Sequence, residues 1–449
     1  MFTALLIINL TALAGLTVMT WSPKYGVMRG SAVNPLIIFV VISLFFNIDF
    51  VLLHGREEID IFERGFPVTT VDTLLGYVHY TVLFLAAAVG LIVAQLTAPF
   101  EPARVRSDEP TARDRLISAT LFAAIIAIGL VGAVQILQSL SAILAGKLTR
   151  QVFFQSNRLA LVAYSIICPG LAIFLSARNP TKPTSIMAMV GAVLILAITG
   201  SRGIVILVGL IYTIGLAVRG RRIPAYIYVF AIPVLIYLLA FSRFILRESW
   251  KFRTFAEFVE FRGGFGELFF NSVEVAMAEA ITVIANNLEI VSRPPFESFL
   301  GVVMYPLPRS IFTFKPLGAS SFITATLSPN KWYMTKAEVL TTGYGDFIMQ
   351  FGLWGAVPMI GLLTFVWLRA CLRAIHGSRE QTAIWLPFLI WWLTIFMRGS
   401  LFNVGSSLWP FLVVLGTYTV MRCINFDTAD ITAAGIAGSV SQSSITNSQ

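Results

Sequence analysis

Residues 185–218 read SIMAMVGAVLILAITGSRGIVILVGLIYTIGLAV, and Arg202 is the only charge among them. As one helix this stretch would run about 50 Å, whereas the apolar core of a bilayer is about 30 Å thick. It is too long for a single crossing. Gly200-Ser201-Arg202-Gly203 supplies the break, with two glycines free to take the turn conformations that other residues resist. The reading is a hairpin of two short apolar helices that holds an arginine at its tip, and so a membrane-embedded chain.

The rest of the 449 residues agrees. Hydrophobic residues make up 57% and charged residues 12%, half the share of about 25% usual in soluble domains. Mean hydropathy is +0.81. The 36 Phe, 9 Trp and 12 Tyr suit a lipid-facing surface with aromatic belts. Eleven apolar runs are long enough to cross: 2–20, 34–54, 74–98, 116–143, 158–176, 185–200, 203–218, 224–242, 347–368, 384–397 and 401–421. The predicted fold is all-α, a polytopic bundle. Residues 1–242 hold about eight spans and 347–422 about three, separated by one large structured loop over 243–346. The Ser/Thr/Ala-rich tail 423–449 has no apolar period and reads as disordered.

Orientation follows from Lys and Arg in the connections. With the N-terminus outside, the inside loops carry fourteen: Lys24, Arg29, Arg104, Arg106, Arg113, Arg115, Arg178, Lys182, Arg219, Arg221, Arg222, Arg369, Arg373 and Arg379. The short outside loops carry seven: Arg56, Arg64, Lys147, Arg150, Arg158, Arg202 and Arg398. This bias predicts N-out and C-in. The first run has no basic leader, and its Ala12-Leu13-Ala14 lies inside the run, so it reads as a retained span.

Several functions are excluded. The net charge of +9 comes without a nucleic-acid signature, so no nucleic-acid partner is expected. There is no P-loop motif. Cys168, Cys371 and Cys423 form no metal-like spacing, and His54, His79 and His376 do not complete one, so no metal is expected.

The segment 243–346 carries ten basic and ten acidic residues. Within 267–289, Glu267, Asn271, Glu274, Thr282, Asn286 and Glu289 line one side at helical spacing and Val273, Met277, Ile281, Ile284 and Leu288 the other. That pattern predicts an amphipathic helix lying on or against the membrane domain. Prolines follow at 294, 295, 306, 308 and 316, each stopping a helix. A long ordered connection of this kind carries function as a rule.

Arginines mark the outer ends of the spans. Arg202 sits in its tight turn, Arg150 and Arg158 flank Phe153-Phe154-Gln155-Ser156-Asn157, Arg398 precedes Gly399-Ser400, and Arg309 follows Pro306 and Pro308. Each alone reads equally as a snorkelling interface anchor. Together they put several guanidiniums on one side, and the short loops around Arg150, Arg202 and Arg398 hold no acid. The arginine fork matches phosphate, so an anionic partner is expected, either a diphosphate held at that depth by a lipid carrier or phospholipid headgroups. Asp346 opens the ninth span, where a helix cap is the alternative to a reactive carboxylate. Glu338 lies just before it as a candidate base or sugar ligand.

In order along 150–360, these residues resemble the O-antigen and oligosaccharide repeat-unit polymerases. Ser201-Arg202-Gly203 resembles the turn inside their apolar hairpin, and Arg150 to Arg158 their arginine-rich entry to a middle span. Tyr305-Pro306-Leu307-Pro308-Arg309-Ser310 with Lys315-Pro316 is similar to their outer-loop segment. Gly345-Asp346-Phe347 through Phe351-Gly352 to Gly355 resembles the re-entry into the membrane, departing at Asp346, where glutamate is expected. No counterpart stands for the histidine of the related O-antigen ligases.

The resemblance implies a bacterial inner-membrane glycosyltransferase, acting at the periplasmic face without metal, cofactor or nucleotide sugar. It would join undecaprenyl-diphosphate-linked repeats of O-antigen lipopolysaccharide or a related polysaccharide, with membrane lipids and a chain-length regulator as partners. Arg202, Arg309, Glu338 and Asp346 would be catalytic. Arg150, Arg158, Tyr305, Lys315 and Arg398 would bind substrate and diphosphate. An O-antigen ligase-like transferase and a polysaccharide transporter or flippase are the competing readings.

Overall fold

The computed structural model describes residues 1–54, 56, 58–59, 66–99, 109–139, 158–198, 202–221, 223–227, 237, 252, 254–261, 277–308, 310–335 and 338–424. The expected eighth run at 224–242 lies largely outside this set, as do Arg150, Arg309, residues 262–276 and the tail from 425. Arg158 and Arg202 are described in their backbone only.

Helices stand at the other ten apolar runs. They are α1 (Phe2–Met19), α2 (Pro35–Leu53), α3 (Thr70–Thr97), α4 (Ala112–Gln138), α5 (Arg158–Ser176), α6 (Pro183–Ile198), α7 (Arg202–Ala217), α14 (Gly343–His376), α15 (Arg379–Arg398) and α16 (Leu401–Cys423). Between them come α8 (Phe255–Phe261), α9 (Met277–Asn286), α10 (Leu288–Val291), α11 (Glu297–Val303), α12 (Ala319–Leu327) and α13 (Pro329–Thr335). Glu58–Ile59 and Phe66–Pro67 pair as a two-residue antiparallel ribbon. Among the described residues, six helices are long and apolar enough to cross a membrane: α1, α2, α3, α4, α14 and α16. The fold is that of an all-α membrane protein.

Small residues and capped ends build the packing. The most extensive helix pair is α3 with α14. A Cβ on Gly90 would strike the Gly361 carbonyl, and Thr364 donates to the Ala87 carbonyl at 3.2 Å across the same crossing. Close backbone approach through small residues is how apolar helices associate where the hydrophobic effect gives no drive. Polar side chains inside this bundle satisfy one another. Asn9 donates to Asn47 and Thr81, both at 3.0 Å, and Tyr77 donates to Asn47 at 2.8 Å. Left unpaired in an apolar interior, each such group would cost several kcal/mol, on the order of 2–7.

The helix expected on or against the membrane domain packs into the bundle over its described part. Every residue from Met277 to Ile284 is buried, and α9 packs on α2, α3 and α14. Its Ala278 amide and Glu279 carboxylate find partners there. Asp49 of α2 accepts from the Ala278 amide at 2.6 Å, and Arg56 pairs with Glu279 at 3.2 Å. The alternation of polar and apolar residues here reflects bonding inside the bundle, not a water-facing side.

Helix ends sort onto two faces. The ends of α1, α3 and α14 meet where Lys24 donates to the Gln95 and Ala98 carbonyls and His376 contacts the Lys24 carbonyl. Arg219, after α7, donates to Leu175 and Ser176 at the end of α5. Arg113, at the start of α4, donates to Arg422 at the end of α16. The positive side chains thus cap the last carbonyls of helices, where the helix dipole favours them. The starts of α5, α7, α14 and α16 and the end of α15 lie at the other face.

Candidate functional site

α14 contains two helical pieces. At Gly352, φ is +65° and ψ 176°, a backbone that side chains resist, and the helix breaks there. The piece before it, residues 343–350, is wholly buried. The break lets the chain lay this short buried piece against α11 and α16 before crossing, so loop residues dock on a rigid platform.

Asp346 is the centre of that platform. Its side chain has no exposed surface. Oδ1 accepts from Ser298 Oγ at 2.8 Å and Gln350 Nε2 at 2.9 Å, with Arg293 Nη1 at 3.5 Å. Oδ2 accepts from the Leu401 amide, the first residue of α16, at 3.2 Å. Arg293 is equally buried. Its Nε holds Glu297 at 2.9 Å, its Nη2 donates to the Leu317 carbonyl at 2.6 Å, and its guanidinium lies 5.2 Å from the Phe322 ring. Both oxygens of Asp346 are engaged and none of its surface is open. It therefore joins α10–α11, α14 and α16.

Tyr305, Lys315 and Glu338 come together above this anchor. Lys315 Nζ donates to the Tyr305 carbonyl at 2.6 Å and the Leu307 carbonyl at 2.9 Å, and lies 5.2 Å from the Tyr305 ring centre. The ammonium thus braces the proline-rich turn. Burial pushes the Tyr305 hydroxyl up, and the negative charge of Glu338 pushes it further. Glu338 is exposed and accepts from Ser321 Oγ of α12 at 2.5 Å. Three residues on, Thr341 Oγ1 donates to the Gly399 carbonyl at 2.9 Å, next to exposed Arg398. The Tyr305 ring packs edge-on against Phe402, 5.6 Å between centres, and Trp409 Nε1 donates to the Val302 carbonyl at 2.8 Å. The long connection is therefore clamped at Val302 and Tyr305 to the first turns of α16. Between Glu338 and Asp346, Thr342 holds φ at +58°. This is a strained value for a β-branched residue, and its Oγ1 accepts the Gly345 amide at 3.0 Å.

The remaining expected residues are placed by their helices. Arg158 and Arg202 open α5 and α7, and Arg398 closes α15. α15 packs on both of those helices. The three positions thus share the end of the bundle that carries Glu338. Arg293, Ser298 and Ser321 were not singled out by the sequence reading. The available signal was Arg293 four residues before Glu297, an ion-pair spacing in a proline-bounded segment.

No protein-family model, curated protein or solved structure matches this chain.

Proposed function

We propose that the protein is a membrane glycosyltransferase that polymerises lipid-diphosphate-linked oligosaccharide repeats. The observation that carries this reading is the meeting of Tyr305, Lys315 and Glu338 at the end of the bundle where Arg158, Arg202 and Arg398 begin or end their helices. An exposed carboxylate, an aromatic wall and several arginine positions at one helix-end face suit a sugar hydroxyl as acceptor and a diphosphate as leaving group. In the reaction, the bond between the anomeric carbon and the diphosphate oxygen breaks. The diphosphate leaves with the electron pair, the acceptor oxygen bonds to that carbon, and its proton passes to Glu338. Charge gathers on the departing diphosphate in the transition state, and arginines fixed in advance act most strongly there. Asp346 and Arg293 hold the platform and do not touch the reacting atoms. With Lys24, Arg113, Arg178, Arg219 and Arg379 at the opposite face, the charge bias puts that face in the cytoplasm and the site in the periplasm.

The test is purified protein in detergent with radiolabelled undecaprenyl-diphosphate-linked repeat. Growth of a ladder of lipid-linked oligomers supports polymerisation. Transfer only to a lipid A core would assign a ligase, and neither product would leave transport as the better reading.

A further inference from the structure

At the face opposite the candidate site, arginines outnumber acids and adjoin one another. Arg178 Nη2 donates to the Arg115 carbonyl at 3.1 Å, and Arg219 Nη2 donates to the Arg178 carbonyl. Arg379 lies near Arg219, and burial together with that like charge pulls the Arg219 guanidinium down to about 10. The carboxylates bordering the group are Asp114 and Glu380. Arg422 engages both, at 2.9 Å and 3.0 Å. Among the described ion pairs none reaches Arg113, Arg115, Arg178, Arg219 or Arg379. The Nε–H groups of Arg113, Arg178 and Arg379 are buried and donate to no acceptor in the protein. A buried donor without an acceptor is costly, and like charges held together add to that cost.

An anion relieves both. Phosphate matches the guanidinium fork. The ends of apolar helices place this phosphate at headgroup depth, and the adjoining cavity has the matching shape of polarity. Ser378, Glu380 and Arg422 line its polar side, with the Glu380 carboxylate held by Arg422 at 3.0 Å, and Ile384, Trp385 and Leu415 its apolar side. We infer that this face holds the phosphodiester of an anionic phospholipid, with the start of its acyl chains along Trp385 and Leu415. The inference rests on membrane embedding alone and stands or falls apart from the polymerase reading.

The experiment uses the full-length protein in nanodiscs of phosphatidylcholine, with or without phosphatidylglycerol. Thermal unfolding and the lipid retained after a detergent wash are the readouts. Wild type should retain phosphatidylglycerol in preference to phosphatidylcholine and unfold at a higher temperature with it. At about 5-fold per arginine, Arg178→Gln with Arg379→Gln should lower that retention by about 30-fold. Equal retention of the two lipids by wild type overturns the proposal, whether or not the double variant folds. So does a folded double variant that keeps phosphatidylglycerol as wild type does. Inorganic phosphate protecting as well as phosphatidylglycerol would assign a soluble phosphate ligand and overturn the lipid.

Discussion

Arg293 Nη1 stands 3.5 Å from Asp346 Oδ1 with neither side chain exposed, and the contact ties the segment before α11 to the first turn of α14. Breaking a buried pair strands the other charge, which costs about 3–5 kcal/mol, whereas removing both partners costs far less. Asp346→Asn and Arg293→Met should each lower the unfolding temperature in detergent sharply. The double variant should be more stable than the sum of the two losses allows. Strict additivity would mean that the pair contributes nothing as a pair.

Gly352 is a backbone requirement. Its φ of +65° carries no crowding, since a Cβ there would meet nothing within 4 Å. The penalty for Gly352→Ala is therefore conformational, about 1–3 kcal/mol. The variant should fold and unfold a few degrees lower, with the outer connection more open to protease. An unchanged unfolding temperature would place the break in α14 elsewhere.

Legibility differed by element. Helices stand at every apolar run that the described residues cover, because a segment with no charges in lipid has no other way to satisfy its backbone. The break between α6 and α7, whose Gly200 and Ser201 lie outside the described residues, was readable from length alone. α9 was not. Glu279 and Thr282 look water-facing in a sequence, and only the bundle shows both buried, Glu279 against Arg56 and Thr282 packed on Gly76. Asp346 shows the same limit. A carboxylate at a helix start has the same sequence signature whether it anchors or reacts, and the difference lies in Arg293 and Ser298, about fifty residues away in the chain. Glu338 drew attention by proximity to Asp346, and the fold leaves it the exposed member of the two.

Glu338→Gln keeps the acceptor for Ser321 but removes the base. Polymer formation should fall by about 100- to 10,000-fold, the range that general-base catalysis supplies, with the unfolding temperature unchanged. Ser321→Ala should cost far less, since it only orients the carboxylate. Full activity in Glu338→Gln would move the base to another residue.

Single cysteines near Lys331 and near Arg221 test the assignment of faces. In intact spheroplasts the first should react with an impermeant maleimide and the second should not. Reversed labelling would place Tyr305, Lys315 and Glu338 in the cytoplasm and remove the periplasmic site.

Arg202 and Arg309 are the sharpest test of the leaving-group role. Arg202→Lys and Arg309→Lys keep the charge and lose the two-pronged fork, a swap that is not conservative at a phosphate. An interaction that strengthens as the diphosphate departs shows in turnover more than in affinity. Loss of one such contact in a water-poor site costs roughly 2–4 kcal/mol, so polymer yield should drop by about 30- to 1000-fold. A snorkelling arginine behaves differently, because lysine still anchors a helix end at the interface. Polymer length and yield from a deletion strain carrying either variant, at matched protein level, distinguish the two. Near-normal polymer from both would reduce these arginines to interface markers and take the leaving-group contact away from the hairpin tip.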